Sequence, residues 1–257
     1  LKKISLLTKK YQSKCYIYCE KPVAVSQDEV NWLRKEALNF SPILSVGFNQ
    51  RYSSFSSLVS KYIANSRFGN PVSATFEVTH GLAFKSNAKK NWRFTDNKVF
   101  SRLIGNLGVH YIDLSLSFFG PVEDFHLLEN NINSEKNNDV SLLIMRHKSG
   151  VLTTIFLSYS TIYSERQNVF FTDGSISEIN SKLTTKTPRD IFNKKGEFVS
   201  PPDKRITNNF FSRDSTLAFA IKDFINIALN GGSFPELAFL SSIEAVELVL
   251  KINKKIN

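Results

Sequence analysis

The period of the hydrophobic residues changes near residue 70, and this change limits the folds open to the chain. Before it, short apolar segments at residues 15–19 and 42–48 flank a segment with helical spacing. Two buried strands joined by a helix form a βαβ unit, the building block of a parallel sheet. After it, residues 72–79 alternate apolar and polar side chains, as in a sheet with one open face. Two different kinds of sheet are therefore predicted.

Turn residues and helical spacing organise the rest of the chain. Turns at residues 148–150 and 173–174 each join two strand-like segments, which predicts antiparallel hairpins. Ser26 and Glu29 form a capping box that begins the first helix. Residues 181–210 have no clear periodicity and predict a long loop. Further helices are predicted at residues 53–64, 102–119, 214–229 and 241–252.

Composition disfavours several classes of protein. The formal net charge is +10, but the lysines are scattered and no nucleic-acid motif occurs, so we expect no nucleic-acid partner. Cys15 and Cys19 have no companions at a metal-ligand spacing, which predicts free thiols in a reducing compartment and no metal site. Apolar runs fall short of the roughly 20 residues that span a bilayer. The interpretation is a cytoplasmic protein without a membrane partner.

The first predicted strand ends abruptly at Glu20, Lys21 and Pro22. Proline fixes its own φ and restricts the residue before it, so Lys21 is held in an extended geometry at the strand terminus. A lysine held in this way is a candidate for a binding site. Ordinary solvation of a surface lysine is the structural alternative.

The helix predicted at residues 102–119 carries a narrow polar stripe on an otherwise apolar surface. Asn106, His110 and Asp113 belong to this stripe, and a buried polar row must be hydrogen-bonded or line a cavity. Asn106 and His110 are one turn apart and can reach the same small molecule. The structural alternatives are a histidine satisfied within the core and an aspartate that serves as its hydrogen-bond partner or as an internal clasp.

Two separate segments thus supply polar groups that suit the walls of one pocket. The strand-end Lys21 comes from one segment and the His110 row from the other. Arg93, which follows Trp92 in a polar segment, is either a further pocket residue or a surface cation beside a packing aromatic ring.

The order and intervals of several motifs resemble those of the Gfo/Idh/MocA family of NAD(P)-dependent oxidoreductases. The motifs are YCEKPVAVSQDEV, VGFNQRY, FGNPVSATFE, NWRF and GNLGVHYIDL…FFGPVE, and PELAFLSSIEAVELVLKI resembles the family's C-terminal helix. The Glu-Lys-Pro and Gly-x-His-x-x-Asp elements are specific in combination. The similarity spans essentially the whole chain.

The resemblance implies a fold class and a reaction. The fold is α/β, with the end of a Rossmann-type parallel sheet at residues 1–50 and an α+β domain with an open, mainly antiparallel sheet at residues 51–257. The implied cofactor is NAD or NADP, and the implied assembly is a homo-oligomer formed through the open sheet. The implied reaction moves a hydride between the nicotinamide and a hydroxyl carbon of a sugar or nucleotide sugar.

The resemblance also assigns two catalytic residues. Lys21 resembles the family lysine that touches the substrate hydroxyl and the nicotinamide ribose, and the family's Lys-Pro peptide bond is often cis. His110 resembles the histidine that exchanges a proton with the hydroxyl being oxidised. The chemistry suits these groups because hydride departure requires removal of the hydroxyl proton, which imidazole does well near neutral pH, while an ammonium stabilises a developing alkoxide.

The remaining candidate residues divide between cofactor and substrate. The resemblance places Glu20 and Arg51 with Lys21 on the cofactor side, and it places Asn106, Arg93 and Asp113 on the substrate side. Many family members carry aspartate where this chain has Asn106, which cannot act as a base but can hydrogen-bond a substrate. Because asparagine is familiar there in relatives that act on nucleotide sugars in surface-polysaccharide pathways, the expected substrate shifts towards that class.

One family element is absent from the sequence. The Gly-x-Gly-x-x-Gly turn that cradles a pyrophosphate does not occur in the 257 residues. At about 30 residues per βαβ unit, the missing part of a Rossmann domain is on the order of 80 residues. The chain is interpreted as a fragment of a longer dehydrogenase, inactive alone. The alternative is a degenerate, non-catalytic relative acting as a binding or assembly module, against which the retained Lys21 and His110 argue.

Overall fold

Two sheets of different kinds follow one another along the chain, as the change in hydrophobic period predicts. The computed structural model describes residues 1–11, 15–40, 42–96, 98–133, 137–187, 192–199, 204–206 and 213–256. The smaller sheet pairs β1 with β2 in parallel. Its elements in chain order are α1 (Lys2–Tyr11), β1 (Ile17–Cys19), α2 (Gln27–Lys35), α3 (Ala37–Phe40) and β2 (Leu44–Val46).

The capping box begins α2 as predicted. The Ser26 hydroxyl accepts a hydrogen bond from the Glu29 backbone N–H, and the Glu29 carboxylate accepts one from the backbone N–H of Val25. The first bond satisfies a donor that a helix start leaves open, and the second ties the residue before the N-cap to the first turn. The crossover from β1 to β2 therefore has a fixed starting point.

The larger sheet has eight strands in the order β10-β9-β8-β7-β3-β6-β5-β4. Only β3 and β6 pair in parallel among these neighbours, and the other pairs are antiparallel. The strands are β3 (Pro71–Thr79), β4 (Val122–Asn130), β5 (Val140–His147), β6 (Leu152–Ser158), β7 (Ser164–Phe171), β8 (Gly174–Ile179), β9 (Lys182–Lys186) and β10 (Lys204–Arg205). The expected fold class is confirmed.

Helices cover one face of the larger sheet. Helices α4 (Ser54–Ala64) and α6 (Val109–Phe119) contact its strands, and α8 (Glu236–Ile256) packs against α6. The other helices are the single turn α5 (Trp92–Thr95) and α7 (Arg213–Leu229), which packs against residues 49–52. Helix α8 contributes Val249 and Ile252 to the core beneath the large sheet, and Ile243 and Val246 to the core around β1 and β2. Burying each such side chain contributes about 1.5–3 kcal/mol. Helix α8 thus joins the two sheets.

The prediction of a long loop at residues 181–210 is partly wrong, because strands β9 and β10 lie within this range. Leu183 and Thr185 are buried while their neighbours are not, and β9 pairs antiparallel with β8 along its length. Residues 188–191, 200–203 and 207–210 lie outside the described residues. The last helix also begins at Glu236, earlier than the predicted residue 241.

The second face of the large sheet is exposed and carries several apolar side chains among charged ones. Cross-strand register puts Ile144 and Leu152 on the face opposite the buried Leu143 and Ile155. Leu128 and Phe170 extend the same exposed surface, hereafter the open face. Within the described ranges, the helices are too short or too polar to cross a bilayer.

Candidate functional site

The carboxyl ends of β1 and β2 lie at the same edge of the small sheet because the strands are parallel. Glu20 and Lys21 follow β1, and Gly47 and Phe48 follow β2. A Cβ atom on Gly47 would lie 3.1 Å from Glu20 Oε2, so the glycine allows the carboxylate to rest against the backbone. The Lys21–Pro22 peptide bond is cis, as the resemblance implies.

A π-helical turn at Ile104–Gly108 runs into α6 and carries Asn106. Single π-helical turns are rare and occur frequently at functional sites. Gly105 makes this turn possible at its present place, since a Cβ there would lie 2.3 Å from the Val99 carbonyl oxygen and 2.7 Å from Phe100 Cα. The backbone of residues 99–100 therefore crosses directly over the turn.

Lys21 and Asn106 meet where the strand end faces the π-helical turn. The Lys21 ammonium donates to the Asn106 carbonyl oxygen at 2.7 Å and lies 3.3 Å from Asn106 Oδ1. Burial and, to a smaller extent, the positive charge of Arg93 lower the pKa of Lys21 to about 8 against the opposing effect of Glu20. An ammonium has three donors, so one N–H remains for a ligand oxygen beyond these two contacts.

Tyr159 and Arg93 complete a polar cluster with Lys21 and Asn106. Asn106 Nδ2 donates to the Tyr159 hydroxyl oxygen at 3.1 Å. Burial raises the pKa of Tyr159, while hydrogen bonds from Asn106 and Arg93 oppose this rise. The Tyr159 ring also lies against His80, with 4.7 Å between the ring centroids. We call Lys21, Arg93, Asn106 and Tyr159 the Lys21 cluster.

The loop between β4 and β5 holds two members of this cluster from behind. Asn137 Nδ2 donates to the carbonyl oxygens of Arg93 and Asp96, both at 2.9 Å. The Asp139 carbonyl oxygen accepts from the Tyr159 backbone N–H at 2.8 Å. The backbones that carry Arg93 and Tyr159 are therefore fixed by buried polar side chains and backbone groups.

His110 lies one helical turn beyond Asn106, on α6. Its ring packs edge-on against Phe48, with 5.9 Å between the ring centroids. Since Phe48 directly follows Gly47, His110 faces the same strand-end edge from which Lys21 projects. The single α-helix predicted over both residues is instead a π-helical turn at Asn106 followed by α6 at His110. The catalytic role of His110 stays a prediction.

Arg51 and Asp113 form a separate, buried ion pair. Arg51 Nε and one terminal nitrogen donate to the two Asp113 carboxylate oxygens at 2.7 and 2.5 Å. The same guanidinium donates to the Ala238 carbonyl and the Ser241 hydroxyl on α8. Burial raises the pKa of Asp113, which the Arg51 charge opposes. This geometry matches the internal clasp that the sequence left open for Asp113.

The structure thus brings together three of the predicted residues, Lys21, Asn106 and Arg93, and adds Tyr159, which the sequence analysis missed. The only sequence signal for Tyr159 is its position directly after a buried strand, β6, as His80 directly follows β3. Among the residues that the structure describes, no group of three or more His, Cys, Asp or Glu side chains is placed to hold a metal ion.

Comparison with solved structures identifies the class of fold. An NAD binding oxidoreductase from Klebsiella pneumoniae superposes with a TM-score of 0.75 and 17% identity, over 93% of this chain and 71% of that chain. Levoglucosan dehydrogenase in complex with NADH and L-sorbose superposes with a TM-score of 0.74 and 16% identity, over 95% of this chain and 72% of that chain. The chain shares the fold of these two proteins.

Sequence comparison finds a match to the same family as the sequence motifs. Residues 57–177 match the GFO/IDH/MocA C-terminal domain. Glucose-6-phosphate 3-dehydrogenase from Bacillus subtilis is 29% identical over 61% of this chain and 42% of its own length. Myo-inositol 2-dehydrogenase from Thermotoga maritima is 24% identical over 68% of this chain and 52% of its own length. The Gfo/Idh/MocA resemblance is confirmed, and the chain spans about half the length of these curated relatives.

Replacing Gly105 with alanine tests the dependence of the Lys21 cluster on the π-helical turn. The new methyl group meets fixed backbone rather than a movable side chain, so we expect a loss of about 2–4 kcal/mol in the free energy of unfolding. Gly108→Ala is the matched control, because its methyl group meets only the side chains of Leu157 and Ile104. Urea unfolding of both variants measures the two free energies of unfolding. Equal losses would contradict the conclusion that the π-helical turn requires glycine at position 105.

Proposed function

We propose that this chain supplies the substrate side of an NAD(P)-dependent oxidoreductase that moves a hydride between the nicotinamide and a hydroxyl-bearing carbon of a sugar. The observation that carries the proposal is the Lys21 ammonium, held by Asn106 at the carboxyl edge of a parallel strand pair with one donor left for a ligand. Ligands of open parallel sheets bind at this edge. The relatives named as sugar and inositol dehydrogenases support the same reaction class.

The residues at this edge fit the nicotinamide end of a dinucleotide. Glu20 is exposed beside Gly47 and offers carboxylate oxygens to ribose hydroxyls, and Lys21 is adjacent. A bound nicotinamide would supply the hydride acceptor or donor. The glycine turn that cradles a pyrophosphate is not among the 257 residues, so these residues account for one end of the cofactor only. The choice between NAD and NADP is left open.

In this proposal His110 transfers the proton and Lys21 stabilises the negative charge that develops on the substrate oxygen. His110 accepts the hydroxyl proton of an alcohol substrate, or returns it to a ketone in the reverse direction. The Lys21 ammonium donates to the same oxygen and lowers the energy of its developing negative charge. Asn106 cannot accept a proton; it holds the lysine in place instead.

A phosphorylated sugar or nucleotide sugar is the proposed substrate class. Arg93 lies close enough to lower the pKa of Lys21, so the Lys21 cluster contains two positive charges near each other. Such a pair is costly unless an anion joins it. The guanidinium of Arg93 also lies 4.4 Å from the Trp92 ring centroid, which supports its orientation. Arg51, in contrast, is proposed as structural, because Asp113 and α8 occupy its donors.

We further propose that the open face packs against a second copy of the chain. Its exposed leucine, isoleucine and phenylalanine side chains are apolar surface of the kind that oligomers bury. Leu152→Lys is expected to dissociate the assembly in sedimentation experiments, whereas Leu38→Lys, which changes an exposed leucine on α3, is expected to leave it intact. A monomeric mass for the unaltered protein would remove this proposal.

Replacing His110 with alanine tests the enzyme proposal against the binding-module alternative. The gene product, expressed in full so that any residues encoded before Leu1 are included, is assayed with NAD and NADP against neutral sugars, sugar phosphates and nucleotide sugars. We expect turnover of an anionic sugar and a loss of roughly 10²-fold or more in His110→Ala. His126→Ala, at an exposed histidine, is the control. Absence of turnover across the panel would favour the binding module.

The pH dependence of kcat/KM tests the role of Lys21. The pKa of Lys21 is lowered to about 8, so the ammonium form is present below that pH and is lost as the pH rises through it. If the ammonium stabilises the alkoxide, kcat/KM falls above about pH 8. Lys21→Arg, which stays protonated, removes this alkaline fall, while Lys85→Arg at an exposed lysine retains it. A rise in kcat/KM through pH 8 would instead make the neutral amine the active form.

A further inference from the structure

The orientation of the Asn106 amide is fixed by its two neighbours. Its oxygen faces the Lys21 ammonium at 3.3 Å and its nitrogen faces the Tyr159 hydroxyl at 3.1 Å. Exchanging the two ends would set N–H donors of the amide against the N–H donors of the ammonium, which is unfavourable. The amide therefore donates to Tyr159 and does not accept from it.

The same argument fixes where the Tyr159 proton points. Asn106 Nδ2 donates to the phenolic oxygen, and an amide NH₂ group has no lone pair to accept in return. The nearby Arg93 guanidinium, whose charge lowers the pKa of Tyr159, likewise has donors only. Tyr159 is 2% exposed, so its proton has little access to water. Across the ranges that the structure describes, no hydrogen bond with Tyr159 as the donor is present. A buried hydroxyl that receives hydrogen bonds in this way can donate its own proton to an acceptor atom of a bound ligand.

We infer that Tyr159 is a further substrate-binding residue, which donates its phenolic proton to a sugar oxygen beside the one that Lys21 contacts. Lys21 and Tyr159 flank one amide group, so they present two hydrogen-bond donors on the scale of a single sugar ring. Asn106 is then the residue that determines the direction of the second donor. The inference rests on the proposed function, because it takes the ligand to be a sugar.

An aspartate at position 106 would reverse this arrangement. A carboxylate accepts hydrogen bonds only, so the Tyr159 O–H would turn towards it and away from the ligand. Asn106→Asp and Tyr159→Phe thus remove the same donor from the substrate by different routes. Two changes that remove one interaction are not additive when combined.

The kinetic test uses Tyr159→Phe, Asn106→Asp and the double variant in the gene product expressed in full. We expect each single change to lower kcat/KM by about 10- to 100-fold, with the double variant no worse than Asn106→Asp. A deoxy analogue lacking the oxygen bound by Tyr159 is expected to be used equally well by Tyr159→Phe and the unaltered protein. Tyr111→Phe, a buried tyrosine whose hydroxyl donates to Glu165, is the control.

Near-normal kcat/KM in Tyr159→Phe, with an active unaltered protein, would overturn the role of Tyr159 and leave the proposed function standing. If the unaltered protein turns over no sugar, the proposed function fails and a second measurement decides the inference. In protein labelled with ¹³C at tyrosine Cζ, the resonance missing from Tyr159→Phe reports the ionisation of Tyr159. Asn106→Asp is expected to raise that pKa by about one unit or more, because a donor is replaced by a negative acceptor. An unchanged pKa overturns the inference.

Discussion

The buried pair of Arg51 and Asp113 fixes the position of α6 relative to the strand ends that carry the site. Arg51 follows β2, Asp113 lies in the middle of α6, and the remaining donors of the guanidinium reach α8. Removing one partner of a buried ion pair typically costs about 3–5 kcal/mol, because the other charge is left uncompensated. Lys21 and Asn106 meet only if these elements keep their places, so a contact outside the Lys21 cluster sets the geometry within it.

The fold was predictable where a hydrophobic pattern repeats, and less so where pairing comes from a distant segment. The parallel pair, the hairpins at residues 148–150 and 173–174 and the helices follow from period and turn residues. Strand β9 was missed because Leu183 and Thr185 stand among lysines and threonines, and its stability as a strand comes from pairing with β8. A short polar strand of this kind has no strong pattern of its own.

The sequence pointed to most members of the candidate site but not to Tyr159 or to the site's geometry. The constrained strand end singled out Lys21, and the polar stripe singled out Asn106 and His110. The polar stripe did not show that Asp113 belongs to a buried ion pair rather than to a ligand site. Its partner Arg51 lies 62 residues away in the sequence and cannot be recognised from the helix alone. The stripe also did not reveal the π-helical turn, which depends on the close passage of residues 99–100 over Gly105. Tyr159 was missed because an aromatic residue after a strand is usually a packing residue.

Electrostatics connects the members of the Lys21 cluster. Burial and Arg93 lower the pKa of Lys21, while Asn106, being neutral, contributes dipoles and no compensating charge. An aspartate at the same position would offset the positive charge of the Lys21 ammonium and accept a hydrogen bond from the Tyr159 hydroxyl. The site would then be less positive and would have one donor fewer for a ligand. The asparagine therefore keeps both the positive charge and the second donor directed at the ligand. The proposed anionic sugar substrate suits such a site, because it brings negative charge and several oxygens.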